Sequence, residues 1–249
     1  MKVALALYTL REYTAKNFAE VLEKAAKLGY EGVEFAGFGD VPADVMKGYL
    51  DQYGLAVTSC HMPLQQLEQG LDEAIRYNLA IGNRNIVCAW APMGSEAEFQ
   101  ATVDALHSIS KTLKEHGMQL YYHNHAHEIE FKHNGKPGLD CMYDDLFAVD
   151  ELRPEVDVFW VWKAGACPVD YTKRYGNRTT LWHIKDGDVV DGEIQFAISG
   201  QGKVGIADVV KAAADTTIEW LIVENDNPQP EGYYVAGRSA DYLHGLLGR

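Results

Sequence analysis

The strongest constraint on this chain is a pattern that recurs eight times in its 249 residues: a short apolar run, then an amphipathic stretch. The apolar runs cover residues 3–9, 32–36, 55–61, 85–90, 118–125, 156–162, 180–185 and 220–224. After the first, Phe18, Val21, Leu22 and Ala25 recur at helical spacing over 17–28, and Gly29 stops that helix. The same reasoning predicts helices from Pro42 to Tyr53 and over 64–80, 95–116, 143–149, 171–175, 206–214 and 233–247. Each unit is about 31 residues long, the length of one βα unit. Runs rich in Val, Leu and Ile suit strands that are buried on both faces of a parallel sheet. Eight such units predict an α/β fold, the closed (β/α)8 TIM barrel, with residues 1–249 forming a single domain. An open dinucleotide-binding sheet would need G-x-G-x-x-G after an early strand, and the loop after residues 3–9 has no glycine. The GQGKVG stretch at 200–205 precedes a helix but follows no strand, and reads as a loop.

Composition narrows the partners. The net charge is -14, which argues against nucleic acid or an anionic membrane, because both need basic surfaces. The apolar start, MKVALALYTL, is too short to span a bilayer and reads as a first buried strand. The four cysteines form no C-x-x-C pair, so a thiolate zinc site is not expected. Cys60 and Cys88 sit in apolar runs and read as small core residues. This usage fits a reducing, cytoplasmic setting, although a mature chain that has lost a signal peptide would read the same way. A homo-oligomer is compatible with this composition.

Active sites of TIM barrels lie at the C-terminal ends of the strands. The polar residues closing the apolar runs are Glu34, His61, the run His123-Asn124-His125, Asp157, His183 with Lys185 and Asp186, and Glu224 with Asp226. A single acidic residue ordinarily does no more than keep a surface soluble. Six of eight strands ending in such groups call for another explanation, because buried charges must be paired or coordinated. Mixed Asp, Glu and His donors without sulfur suit one divalent ion: Mn²⁺, Mg²⁺, Co²⁺ or Zn²⁺. An ion of that kind polarises a sugar carbonyl and acidifies the neighbouring C–H, and a carboxylate or imidazole takes the proton. Epimerases, ketose isomerases and β-eliminating sugar enzymes work this way.

Three motifs give a resemblance. Asp157 is followed eight residues later by Gly165 in DVFWVWKAG, His183 opens H-I-K-D, and Glu224 closes the apolar run of WLIVEND. Together, in this order, they resemble the xylose isomerase-like TIM barrel superfamily of sugar phosphate isomerases and epimerases. The resemblance implies that Asp157, His183 and Glu224 are metal ligands and that His61 contacts substrate. The chain departs from the pattern on the fifth strand, where most members place a glutamate and YYHNHAHEIEF places His123. This H-N-H-x-x-E form resembles a branch related to inosose dehydratase and to 3-keto-glycoside lyases and hydratases. The fourth ligand is then either His123 or Glu128 curling back from the loop, with Glu128 preferred. His127 and His133 read as plain loop residues.

The expected catalytic groups are His123, His125 and Glu224; the expected metal ligands are Glu128, Asp157, His183 and Glu224. Glu34, His61, Trp160 and Lys185 are expected to contact substrate, Trp160 by stacking on a sugar face. No glycine-rich phosphate cradle is present, so a phosphorylated substrate is not supported. The expected function is a metal-dependent sugar isomerase or epimerase, with a lyase, dehydratase or hydratase of a keto-sugar, 3-keto-glycoside or keto-inositol as the alternative. A barrel that binds sugar without catalysis would not need so many titratable groups. A nuclease of the endonuclease IV type would need a basic groove, which the charge opposes.

Overall fold

The computed structural model describes residues 1–249. Eight parallel strands form its centre: β1 (Lys2–Ala6), β2 (Gly32–Phe35), β3 (Ala56–Met62), β4 (Asn85–Cys88), β5 (Gln119–His123), β6 (Leu152–Glu155), β7 (Leu181–Ile184) and β8 (Trp220–Val223). Their order around the ring is β6-β5-β4-β3-β2-β1-β8-β7. The ring closes between β6 and β7 through one bridge, Asp157 beside His183, with the His183 N–H donating to the Val156 carbonyl at 3.0 Å. Helices Phe18–Lys27, Ala43–Tyr53, Leu64–Ala80 and Glu96–Glu115 follow the first four strands, and Ile206–Ala213 and Gly232–Leu246 flank the last. The expected single-domain TIM barrel is the fold observed. No helix is long and apolar enough to cross a membrane.

Strand alternation divides the core. Val3, Leu5, Val33, Phe35, Tyr122, Trp182 and Leu221 point outward into a cluster of 57 buried residues under the helices. Ala4, Ala6, Val87, Tyr121, Leu181 and Ile222 form a smaller cluster inside the barrel. Side chains two positions apart share a face of a strand. His123 follows Tyr121, His183 follows Leu181 and Glu224 follows Ile222 by that step, so the period that fills the barrel also turns these groups into its mouth.

The sixth unit differs from expectation. Residues 156–162 are not a strand: Val158–Lys163 is a helix, and the strand is Leu152–Glu155. Asp157 caps the helix, its Oδ1 accepting from the N–H of Phe159 (2.8 Å) and of Trp160 (3.2 Å). The true strand reads LRPE and lacks the apolar signature because Glu155 turns into the mouth, where it is fully buried. The fifth unit differs too. Its helix spans Gly138–Cys141 and runs into a π-helical turn at Met142–Leu146, ending before the predicted 149. The first run gives a strand only to Ala6, and a 3₁₀ turn covers Leu7–Leu10. An antiparallel hairpin, Asp186–Val190 with Glu193–Ala197, was not anticipated. Its turn is Asp191-Gly192, both at positive φ, a dipeptide that favours two-residue hairpins.

Candidate metal centre and active site

At the C-terminal mouth, His123, Asp157, His183 and Glu224 bring one ligand atom each within 4.8 Å of one another, and all four are buried. His183 Nδ1 is 3.2 Å from Glu224 Oε2, and His123 Nε2 is 3.8 Å from Asp157 Oδ2. A second group shares two of these histidines: His61, His123, Glu155 and His183. His61 Nε2 lies 2.6 Å from Glu155 Oε2 and 3.1 Å from Glu34 Oε1. Lys185 completes the cluster, its Nζ 2.8 Å from Glu224 Oε2, 3.2 Å from Asp157 Oδ2 and 2.9 Å from Asp226 Oδ1.

So many buried charges displace one another's titration. Burial alone would raise Glu34, but His61 and His183 hold it well below the usual carboxylate range. Burial likewise opposes the low value of Glu224, which Lys185 and His183 hold down. Glu155 is pushed up to about 8 by burial and by the neighbouring Glu34. Burial raises Asp157, with Lys185 and His183 acting against it. The carboxylates overcome the cost of burial at His61, raised to about 10, and at His183 and Lys185, both raised. His123 and His125 go the other way. Burial and the cationic His183 lower His123, and burial and Lys185 lower His125 to about 3.

The residues fit a metal ion. His123 Nδ1 and Glu155 Oε1 are buried without a hydrogen-bond partner, and Asp157 Oδ2 has none beyond its ion pair with Lys185. Such orphaned atoms are uncommon in a folded interior and mark a place for a ligand. The donors are nitrogen and oxygen only, as harder divalent ions require.

The H-N-H-x-x-E segment divides its labour. His123 enters the metal group. Asn124 accepts from the Asp157 N–H at 3.1 Å and so ties the end of β5 to an aspartate of the candidate metal group. His125 lines the cavity. Glu128 stands outside both metal groups: its Oε1 accepts from the Tyr122 hydroxyl (2.9 Å) and its Oε2 from the His125 N–H (2.8 Å). Glu128, preferred as fourth ligand from the sequence, thus folds the loop back on itself, and His123 stands in the candidate group instead. His127 Nε2 contacts the Ala91 carbonyl, and His133 pairs with Glu96 on the surface.

A cavity of about 410 Å³ opens above the cluster, lined in part by Tyr8, His61, Trp90, His123, His125, Lys185, Glu224 and Asp226. Two expected substrate contacts are not part of its wall. Glu34 lies beneath His61 and His183. Trp160, carried on a helix rather than a strand, packs against His125 and Phe196, with the Lys185 Nζ 5.4 Å from its ring centre. Sequence reasoning missed Glu155, Tyr8 and Trp90. Glu155 was legible only once the strand was placed correctly; Tyr8 and Trp90 stand just past strand ends but offer no carboxylate, imidazole or amine, the groups that single out the other strand ends.

The fold and this mouth define the class: a TIM barrel with a buried histidine–carboxylate cluster able to take up a metal. The chain belongs to the xylose isomerase-like TIM barrel family, whose model matches residues 22–243. It is 28% identical over 164 residues to the 2-oxo-tetronate isomerase of Haemophilus influenzae, a match covering 57% of this chain and 64% of that protein. The chain therefore spans a little under two thirds of that relative's length. Among solved structures, a sugar phosphate isomerase/epimerase from Parabacteroides distasonis superposes with a TM-score of 0.82 at 22% identity, over 98% of both chains. The probable 3-DHS dehydratase AsbF of Bacillus anthracis, involved in petrobactin synthesis, gives 0.79 at 15% identity, also over 98% of both. These two likenesses are of fold.

Proposed function

We propose that this chain is a divalent-metal-dependent isomerase or epimerase that moves a proton beside the carbonyl of a small sugar or keto-sugar. The observation that carries this reading is the buried group His123, Asp157, His183 and Glu224, which meets the cavity through His123 and Glu224. These four would hold Mn²⁺, Mg²⁺, Co²⁺ or Zn²⁺, and a bound ion would supply Lewis acidity toward a carbonyl oxygen. Glu224 reaches the cavity with Oε2 engaged by His183 and Lys185, which leaves Oε1 to take a proton from carbon. His125, kept neutral by burial and by Lys185, faces the same space from the β5 side and can pass a proton at an imidazole nitrogen. Lys185 donates to a carbonyl or hydroxyl oxygen of the ligand. Tyr8 and Trp90, 40% and 48% exposed, offer aromatic faces to the C–H face of a sugar. Lys185 is the sole lysine or arginine in the lining, which favours an uncharged sugar over a phosphorylated one. The isomerase activity of the Haemophilus relative supports the same class.

A second reading, a metal-dependent lyase, dehydratase or hydratase of a keto-sugar, 3-keto-glycoside or keto-inositol, is favoured by one observation. The β5 position carries the imidazoles His123 and His125, which breaks the symmetric pair of carboxylates that a two-base epimerase would use. The test is a panel of ketoses and keto-glycosides incubated with metal-loaded protein in D₂O. Isomerised sugar with deuterium at the carbon beside the carbonyl supports the first reading; an unsaturated or dehydrated product supports the second. Absence of both exchange and turnover would sink each.

A further inference from the structure

Glu34 is the penultimate residue of β2, is 1% exposed and does not line the cavity. Its Oε1 accepts from His183 Nε2 at 2.9 Å and lies 3.1 Å from His61 Nε2. Its Oε2 accepts from the Ser59 hydroxyl at 2.6 Å. Glu34 and Ser59 are paired across β2 and β3, so the backbone ladder itself fixes where this carboxylate stands. The other ring nitrogen of His183, Nδ1, faces Glu224 and the metal group.

A histidine ligates through a ring nitrogen that carries no proton, and the hydrogen bond made by the other nitrogen decides which one that is. We infer that Glu34 is a positioning residue for His183: it holds the Nε2–H and leaves Nδ1 directed at the ion. The ring has little freedom to turn, because it stacks on His61 at 5.0 Å and 12°. His61 is itself held at Nε2 by Glu34 and Glu155. One carboxylate oxygen therefore keeps two stacked imidazoles in register. The group of His61, His123, Glu155 and His183 does not need a second ion to account for Glu34, because both of its close contacts are with imidazole nitrogens that can donate.

The inference rests on the metal reading above, and the test separates the two. Affinity for Zn²⁺ and Mn²⁺ is measured against a chromogenic chelator for wild type, Glu34→Ala and Glu34→Gln. Removing the carboxylate weakens binding by about 10- to 100-fold, the usual effect of losing such a partner. Gln, whose carbonyl still accepts from Nε2–H, stays within a few-fold of wild type. Bound metal remains at one equivalent, because Glu34 stands outside the candidate ligand group. Without added metal, the downfield Nε2–H proton of His183, told from the Nδ1–H that faces Glu224 by ¹⁵N correlation and assigned by its loss in His183→Asn, is present in wild type and Glu34→Gln and absent in Glu34→Ala. If Glu34→Ala does not fold, Glu34→Asp, which withdraws the oxygen by one methylene, is read in its place. Unchanged affinity in Glu34→Ala, a Gln variant as weak as Ala, or an N–H signal that survives in Glu34→Ala overturns the inference. Loss of a whole equivalent also overturns it, since Glu34 would then be a ligand. Wild-type protein that takes up no metal removes the metal reading, and the N–H signal alone then decides whether Glu34 holds His183.

Discussion

The ammonium nitrogen of Lys185 lies 2.8 Å from Oε2 of Glu224, inside a site where Lys185 is 1% exposed. The same nitrogen meets Asp157 and Asp226, so it is the fixed cation among three carboxylates. Lys185→Met strips that charge from all three acids and leaves Glu224 with His183 alone. Breaking a buried pair in this way costs about 3–5 kcal/mol. The variant is expected to melt well below wild type at neutral pH, and a saturating divalent ion should recover most of the loss. Thermal unfolding with and without Mn²⁺ measures both. A variant as stable as wild type would show that the carboxylates are balanced by something else.

Metal content separates the two proposals for the β5 side. Asp157→Ala and Glu224→Ala are each expected to lose bound metal, measured by elemental analysis after dialysis. Glu128→Gln is expected to retain it, because Glu128 serves the Tyr122 hydroxyl and the His125 N–H. Its cost is a weakened loop, about 1 kcal/mol for one net hydrogen bond. Full metal content in the first two variants, or its loss in the third, would reverse the ligand assignment.

Asp186 secures the GQGKVG loop. Its carboxylate accepts from the backbone N–H of Gly187, Gly200, Gly202 and Val204, at 2.8 to 3.2 Å. Asp186→Ala abandons these donors, and each one left unsatisfied in the interior costs about 1–3 kcal/mol. Urea unfolding is expected to give a stability lower by about 3 kcal/mol or more. Gly202→Ala should also be costly, since its Cβ would collide with the Asp186 carboxylate and the Gly187 backbone.

Thiol reactivity should follow burial. Cys60, Cys88 and Cys141 are buried and Cys167 is exposed. Burial pushes the Cys60 thiol up to about 12 and raises Cys88 and Cys141 as well. Folded protein at pH 8 is expected to give one titratable thiol against Ellman's reagent and four after denaturation. A thiol whose folded pKa is raised stabilises the fold fully below its unfolded value, near 9, and that contribution fades as pH climbs toward 12. Alkaline melts should therefore decline over that window, and less steeply in Cys60→Ala when each is compared with its own neutral-pH value.

The fold was legible because the barrel's outer layer is written in apolar residues. Runs such as WLIV and LWHI must be strands buried on both sides, and eight of them at βα spacing leave little choice of architecture. The sixth strand escaped because its inward face is Arg153 and Glu155, so it reads as a polar connection. The helix after it, VFWVWK, was mistaken for the strand because a short apolar run has no period of its own. The Asp191-Gly192 dipeptide is a hairpin signal legible in the sequence.

The sequence by itself determined the barrel and three of the residues that face its mouth, because the two-residue period of a strand sends His123, His183 and Glu224 to the side that Tyr121, Leu181 and Ile222 fill. It could not determine what those residues touch. Glu128 ties down a loop, Glu34 and Glu155 sit beneath the histidines, and Trp160 stands behind His125. Glu128 is held by contacts three and six residues away; the other outcomes depend on distances between strands far apart in the chain, and only the closed ring sets those distances.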